Sequence, residues 1–146
     1  MRRWWIVLWM VLLLGTPVGV LAQGADLNQA GLVVQFGDGT VATYCVEFSE
    51  PSISGHEALA RAGFTLSAEY SALGAAVCKI ENDGCQFPSD ICFCQCNGTP
   101  CTYWAYHHLV DGEWHYSGFG ASSYKLQHGE VDGWAWGEGS MLSLIH

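Results

Sequence analysis

Seven cysteines, Cys45, Cys78, Cys85, Cys92, Cys94, Cys96 and Cys101, sit within one part of a 146-residue chain. This density limits the fold more than any other feature, because the sulfurs serve either as metal thiolates or as covalent staples, and the redox compartment decides which. Read as staples they form a disulfide framework, whose odd count leaves one thiol free or paired between chains. Any six can pair in fifteen ways, so the connectivity stays open. One restriction holds: Cys92 and Cys94, if extended, lie about 7 Å apart at Cα, at the limit for a relaxed bridge, so different partners are expected. The run Cys92-Phe93-Cys94-Gln95-Cys96 lacks the two Cys-x-x-Cys pairs that mark a zinc site.

The other end of the chain points to the compartment. Arg2 and Arg3 precede an uncharged run from Trp4 to Leu14, then Gly15, Thr16 and Pro17, then Val20-Leu21-Ala22 before Gln23. A basic start, an apolar stretch, a helix breaker and small residues at the end are the order of a cleavable signal peptide, expected over residues 1–22. Trp4 to Leu21 is also near the minimum length of a membrane span, which makes an uncleaved anchor the competing reading. Either way the cysteines are expected outside the cytoplasm, in a secreted, periplasmic or cell-surface protein.

Removing 22 residues from 146 leaves 124, enough for one domain. Arg2 and Arg3 leave with the signal, which takes the formal charge from −9 to −11. Only Arg61, Lys79 and Lys125 then remain as fixed cations, so no patch can neutralise several phosphates and nucleic acid is excluded as a partner. The acidity itself is accounted for by solubility.

Residues 23–31 read as a linker. Leu32 to Phe36 and Val41 to Phe48 read as a hairpin around Gly37-Asp38-Gly39. With Asp38-Gly39 as a two-residue turn, Phe36 faces Val41, and Leu32, Val34, Phe36, Val41, Thr43 and Cys45 share the core face. Ser54 with Glu57 forms a capping box and Gly63 a C-terminal stop, which bracket a short helix with Leu59 and Ala62 toward the sheet. Phe64 to Leu73 is ambiguous. Gly74 to Ile80 reads as a buried strand, closed by a turn over Glu81 to Gly84. The segment from Cys85 to Cys101 reads as a loop held by bridges, with a short strand at Ile91 to Gln95. Asp111-Gly112 then joins two aromatic alternating runs, with Val110 opposite Glu113, Leu109 opposite Trp114, His108 opposite His115 and His107 opposite Tyr116. The face with Tyr103, Ala105, His107, Leu109, Trp114 and Tyr116 is the expected core side. A turn at His128-Gly129 leads into a last strand through Trp136, and residues 138–146 read as a tail.

Hairpin, helix, strand, hairpin, strand is the order of a β-grasp domain. The expected fold class is therefore α+β, a β-grasp-like mixed sheet with one short helix, disulfide-stabilised, over residues 32–137. Val34 to Gly39, Cys45 to Phe48, Ile53 to Leu59, Gly74 to Ile80, Tyr103-Trp104-Ala105-Tyr106 and Gly129-Glu130-Val131-Asp132-Gly133-Trp134-Ala135-Trp136 resemble a cysteine-rich bacterial branch of the transcobalamin C-terminal-like domains. Its most recognisable marks here are Tyr103 to Tyr106 and Gly129 to Trp134. The resemblance implies a corrinoid as a possible ligand, since the broad family includes a domain that covers one side of that macrocycle. This chain lacks the large helical domain that supplies the other half of such a site.

Four constellations carry chemistry. His108 and His115, with Glu113 on the same face, have the reach to share one metal ion, although two exposed polar strand residues explain them as well. The cysteine run forms either a thiolate cluster or disulfides, and oxidation favours disulfides. Trp104, Tyr106, Trp134 and Trp136 offer an aromatic platform for a flat ligand, against cross-strand packing as the plainer account. No Ser, His and carboxylate spacing marks a nucleophile and no glycine-rich phosphate loop follows a strand, so no enzyme activity is expected. The sequence thus predicts a secreted, non-catalytic ligand-binding module using Trp104, Tyr106, His108, His115 and Trp134 for a corrinoid or other flat small molecule. An extracellular structural or protein-interaction domain, meeting another extracytoplasmic protein, is the alternative, and a metal-binding or thiol-redox protein the second.

Overall fold

The computed structural model describes residues 27–140, so the signal segment at 1–22 and the tail beyond residue 140 lie outside the described residues. Chain order gives β1 (Asn28–Gln35), β2 (Val41–Phe48), α1 (Gly55–Arg61), β3 (Leu66–Ser71), β4 (Gly74–Ile80), β5 (Asp83–Gly84), β6 (Tyr103–Val110), β7 (Glu113–Tyr116) and β8 (Val131–Gly137). Five strands form one mixed sheet in the order β2-β1-β8-β6-β7, in which β8 lies parallel to β1 and antiparallel to β6. This is the β-grasp arrangement, two hairpins flanking a last strand with a helix between them in sequence. The remaining strands, β3-β4-β5, form a small second sheet.

The first strand begins at Asn28, so the end of the expected linker at 23–31 is part of the sheet. The first hairpin turns through three residues, with Phe36 paired to Thr40 and Gly39 at a φ of 85° that suits a residue without a side chain. Gln35 therefore faces Val41, one position away from the two-residue register. A one-residue slip moves every side chain of a strand to the opposite face. Val46 and Phe48 consequently enter the core, whereas Val41, Thr43 and Cys45 are exposed, which corrects the expected face of β2.

The helix forms where its signals stand. Ser54 accepts a hydrogen bond from the Glu57 N–H, and the Glu57 carboxylate accepts from the Ser54 N–H at 2.7 Å, which satisfies two donors that a helix start leaves open. Gly63 follows the C-terminus at a φ of 90°. Ala58 and Leu59 are fully buried against the sheet, and Ala62 partly so. Ile53 just before the helix bridges to Leu126, which ties the helix entry to the segment before β8.

Three disulfides form: Cys78–Cys92, Cys85–Cys94 and Cys96–Cys101. Cys92 and Cys94 do take different partners, and Cys45 is the free thiol. The first fastens the 85–101 segment to β4, and the second closes a loop at the start of that segment, just after β5. Residues 92–95 form a turn and no strand, because the sulfurs two positions apart are drawn to separate anchors. Closing a loop of the size spanned by Cys78–Cys92 stabilises a fold by about 3 kcal/mol in the chain-entropy account. Such bridges fit an oxidising environment. Among the described residues no helix is long and apolar enough to cross a membrane.

The core lies between the sheet and the helix, with Leu32, Val34, Phe48, Leu59, Ile80, Leu126 and Trp134 all almost wholly buried. Trp104 and Tyr106 belong to it, at 5% and 6% exposure. The expected core side of β6 is thus corrected. Trp104 and Tyr106 face the helix layer, where Trp104 meets Phe36 and Tyr106 stacks on Trp134, while Ala105 and His107 are buried on the reverse.

Native protein is expected to titrate one thiol with Ellman's reagent, and seven after reduction in denaturant; three or more native thiols would contradict the bridging described. Ser54→Ala is expected to lower unfolding free energy by about 1 kcal/mol, seen as a lower urea midpoint at unchanged slope.

Candidate functional site

The hairpin of β6 and β7 has the register that Asp111-Gly112 specifies, including His108 opposite His115. Asp111 takes the positive φ the turn requires. Only His107 to Val110 of β6 are paired to β7, so the edge of β6 from Tyr103 to Tyr106 is left to other elements. The segment after β7 turns there and runs beside β4, through hydrogen bonds from Gly120 N–H to Leu73 O at 2.9 Å and from Ala121 N–H to Ala75 O at 2.7 Å. Between them lies a cleft of about 180 Å³.

Its wall contains Trp104, Tyr106 and Trp134, three residues picked out by the sequence, and its rim carries Leu73, Phe93, Tyr116 and Phe119. The rim side chains are 77%, 44%, 59% and 65% exposed. The aromatic platform expected on an outer face is therefore divided. The tryptophans and Tyr106 are inside, with Tyr106 stacked on Trp134 at 4.2 Å between ring centres, and other rings meet solvent. Tyr116 ends β7 on the face expected to be buried, whereas Phe93 and Phe119 sit on a turn and a loop, where no periodicity singles them out.

Behind this wall lies a buried polar chain. Asp132 on β8 has no solvent exposure. One of its oxygens accepts the Tyr106 hydroxyl, and the other is 2.7 Å from His108 Nδ1. His108 Nε2 is in turn 2.9 Å from Ser117 Oγ. Ser117, itself buried, opens the segment that borders the cleft. Its Oγ donates to the Phe119 carbonyl at 2.9 Å and accepts from the Phe119 N–H at 3.2 Å. The His108 ring lies against Tyr124 with 3.6 Å between ring centres. Burial pushes the Asp132 carboxyl above the ordinary carboxylate range, and the hydrogen bonds from His108 and Tyr106 oppose that rise. Burial followed by the Asp132 charge pushes the Tyr106 hydroxyl far above its ordinary value, so it stays a donor.

His115 stands opposite His108 but is exposed, and the two do not hydrogen bond; the partners of His108 are Asp132 and Ser117. Among the described residues no group of three or more His, Cys, Asp or Glu side chains is placed to hold a metal ion. Asp132 lies inside the Gly129 to Trp134 stretch that carries the resemblance but has no role assigned by it, and Ser117, fifteen positions earlier, belongs to no recognisable motif. The one trace was Asp132 at an inward position of an otherwise apolar strand, where a lone carboxylate needs partners.

No protein-family model matches the chain, and no curated protein matches it. Among solved structures the chain is similar to a "putative metal binding protein" from Ruminococcus gnavus ATCC 29149, at 16% identity and a TM-score of 0.53, over 77% of this chain and 99% of that one. At that identity the likeness shows the fold alone, a mixed α+β sheet structure with one short helix.

Gly55 starts the helix directly over Tyr106 and Asp132, where a Cβ would collide with the Tyr106 ring and lie 2.9 Å from Asp132 Oδ2. Gly55→Ala is therefore expected to destabilise by about 1–3 kcal/mol through overpacking, read from chemical denaturation. His107 is depressed below 6.5, chiefly by burial, so as pH falls the unfolded chain takes up its proton first. Stability from this group is full above about 6.5 and is lost as pH drops through the lower folded value. His107→Phe should lose less Tm than wild type across that acidic interval, measured by circular dichroism at matched ionic strength.

Proposed function

We propose that the protein is an exported ligand-binding module whose cleft beside β6 receives a flat or apolar small molecule. The observation that carries this reading is the exposed ring of Leu73, Phe93, Tyr116 and Phe119 around a recess with buried aromatic walls. Exposed apolar groups that cluster at a concavity mark a contact site, whereas scattered ones need no explanation.

The cleft is small against the roughly 300–1,000 Å³ common for drug-sized ligands, so a larger molecule would insert one group and lie across the rim. A corrinoid, the ligand implied by the resemblance to transcobalamin C-terminal-like domains, belongs to that class and would be covered on one side only. The contact residues then shift from the wall to the rim: Tyr116 and Phe119 take the part first assigned to Trp104 and Trp134, whose removal would open the core. His108 acts behind the wall, and His115 lies apart from it. Docking to another extracytoplasmic protein through the same rim is the rival reading. The metal reading, which the name of the Ruminococcus gnavus protein would favour, finds no cluster of donors among the described residues, and the thiol-redox reading has six of the seven sulfurs in bridges.

Tryptophan emission should quench or shift with hydroxocobalamin or with smaller flat aromatics, and Tyr116→Ala and Phe119→Ala should each weaken that response about tenfold at unchanged Tm. A panel that leaves emission unmoved in the wild type would favour the protein-partner reading.

A further inference from the structure

The cleft and the polar chain behind it meet at Tyr106 and at Ser117, and the residue that contacts His108 is Ser117. Its hydroxyl is 2.9 Å from His108 Nε2, and His108 Nδ1 is 2.7 Å from a carboxylate that has no contact with solvent. A serine, an imidazole and a buried carboxylate joined in this order are the groups that acyl transfer by a hydroxyl nucleophile requires. We propose that Ser117 and His108 form a serine-nucleophile site with Asp132 as positioning residue, and that the cleft hydrolyses esters of short, apolar acyl groups. This rests on the cleft being the ligand site proposed above, and adds a reaction to it.

Each part follows from a named contact. Asp132 accepts from the Tyr106 hydroxyl with one oxygen and holds His108 Nδ1 with the other, so that in the neutral ring Nε2 is the acceptor and is directed at Ser117. Tyr124 stacked on the imidazole prevents the ring from turning. The one hydrogen of the Ser117 hydroxyl has two acceptors at 2.9 Å, the Phe119 carbonyl and His108 Nε2, and rotation about the Cβ–Oγ bond gives it to His108 in the reactive arrangement. Gly118, next in the chain, also borders the cleft, and nothing lies within 4 Å of where its Cβ would be. An acyl group can therefore approach its backbone, whose N–H is the donor for an oxyanion, as the residue after a nucleophile often supplies. The apolar rim and wall receive the acyl chain.

The step is complete with an ester and water. Ser117 Oγ bonds to the ester carbonyl carbon as its proton passes to His108 Nε2, and the carbonyl π electrons move onto oxygen. When the carbonyl re-forms, the C–O bond to the alcohol breaks and the departing alkoxide takes the proton from His108, leaving an acyl ester on Ser117. Water then bonds to that carbonyl carbon and gives a proton to His108, the bond to Ser117 Oγ breaks, and the proton returns to it. The products are one alcohol and one carboxylic acid.

The test treats intact, oxidised protein with an alkyl fluorophosphonate and reads mass, peptide map and p-nitrophenyl butyrate turnover. Expected are one adduct at Ser117, turnover above the buffer rate, loss of both in Ser117→Ala, and a drop of roughly 10²- to 10⁴-fold in labelling rate for His108→Gln, which keeps a side-chain hydrogen bond but removes the base. Asp132→Asn should change the pH profile of labelling; a lowered Tm with an unchanged profile would remove Asp132 from the reaction. Absence of any adduct on protein that is folded by circular dichroism overturns the nucleophile. Tryptophan emission with the aromatic panel, measured in Ser117→Ala, separates the two readings: an emission response without an adduct sinks the reaction and leaves the binding site standing, and no response with no adduct sinks both.

Discussion

A carboxylate with no solvent exposure, Asp132, sits on the central strand of the five-stranded sheet, between β1 and β6, and the architecture around it answers the need to keep it partnered. An uncompensated buried charge destabilises a small domain by as much as the domain's whole margin. The answer comes from β6, whose register against β8 puts Tyr106 opposite Trp134 and His108 opposite Asp132. The same requirement makes the helix begin on Gly55, because the Tyr106 hydroxyl and Asp132 occupy the space a side chain would need. Strand pairing, helix placement and the aromatic stack of Tyr106 on Trp134 thus share one electrostatic cause.

The second constraint is the length of β7. Four residues cover only half of the edge of β6, and the other half is closed by a different sheet that the disulfides hold in place. Cys78–Cys92 and Cys85–Cys94 flank Phe93, so the bridges that stabilise the small sheet also set one side of the cleft rim. A ring on an unbridged loop would lose more conformational entropy on contact with a ligand. The framework and the candidate site are in this sense one device, and the polar chain ending at Ser117 reaches the same recess from the opposite side.

Turn chemistry was the most legible level. Asp111-Gly112 gave the right register for β6 and β7, and Ser54, Glu57 and Gly63 bracketed the helix, since each of these signals acts within a few residues. Gly37-Asp38-Gly39 offered two turns of different length, and the three-residue solution, with Gly39 in the left-handed region, reversed the faces of β2. Nothing local separates those options; the burial of Val46 and Phe48 does. On β6 every position is aromatic, imidazole or aliphatic, so alternation could not tell inside from outside. The space under the helix decided it in favour of Trp104, Tyr106 and His108. The candidate site was legible only as a set of interesting residues: Trp104, Tyr106, His108 and Trp134 do gather, His115 does not, and Ser117, Phe119 and Phe93 entered through loop geometry.

By itself the sequence determined the α+β class, the two hairpins and the helix between them, and that Cys92 and Cys94 must part, because patterning, caps and bond geometry act over short distances and leave few alternatives. Only the tertiary structure decided which sulfurs joined, which face of each hairpin was buried, and that Ser117, His108 and Asp132 form a line behind an aromatic cleft. Those outcomes depend on contacts between segments far apart in the chain, where the winner is the packing that leaves the fewest charges and rings uncovered, and no short stretch of residues contains that comparison.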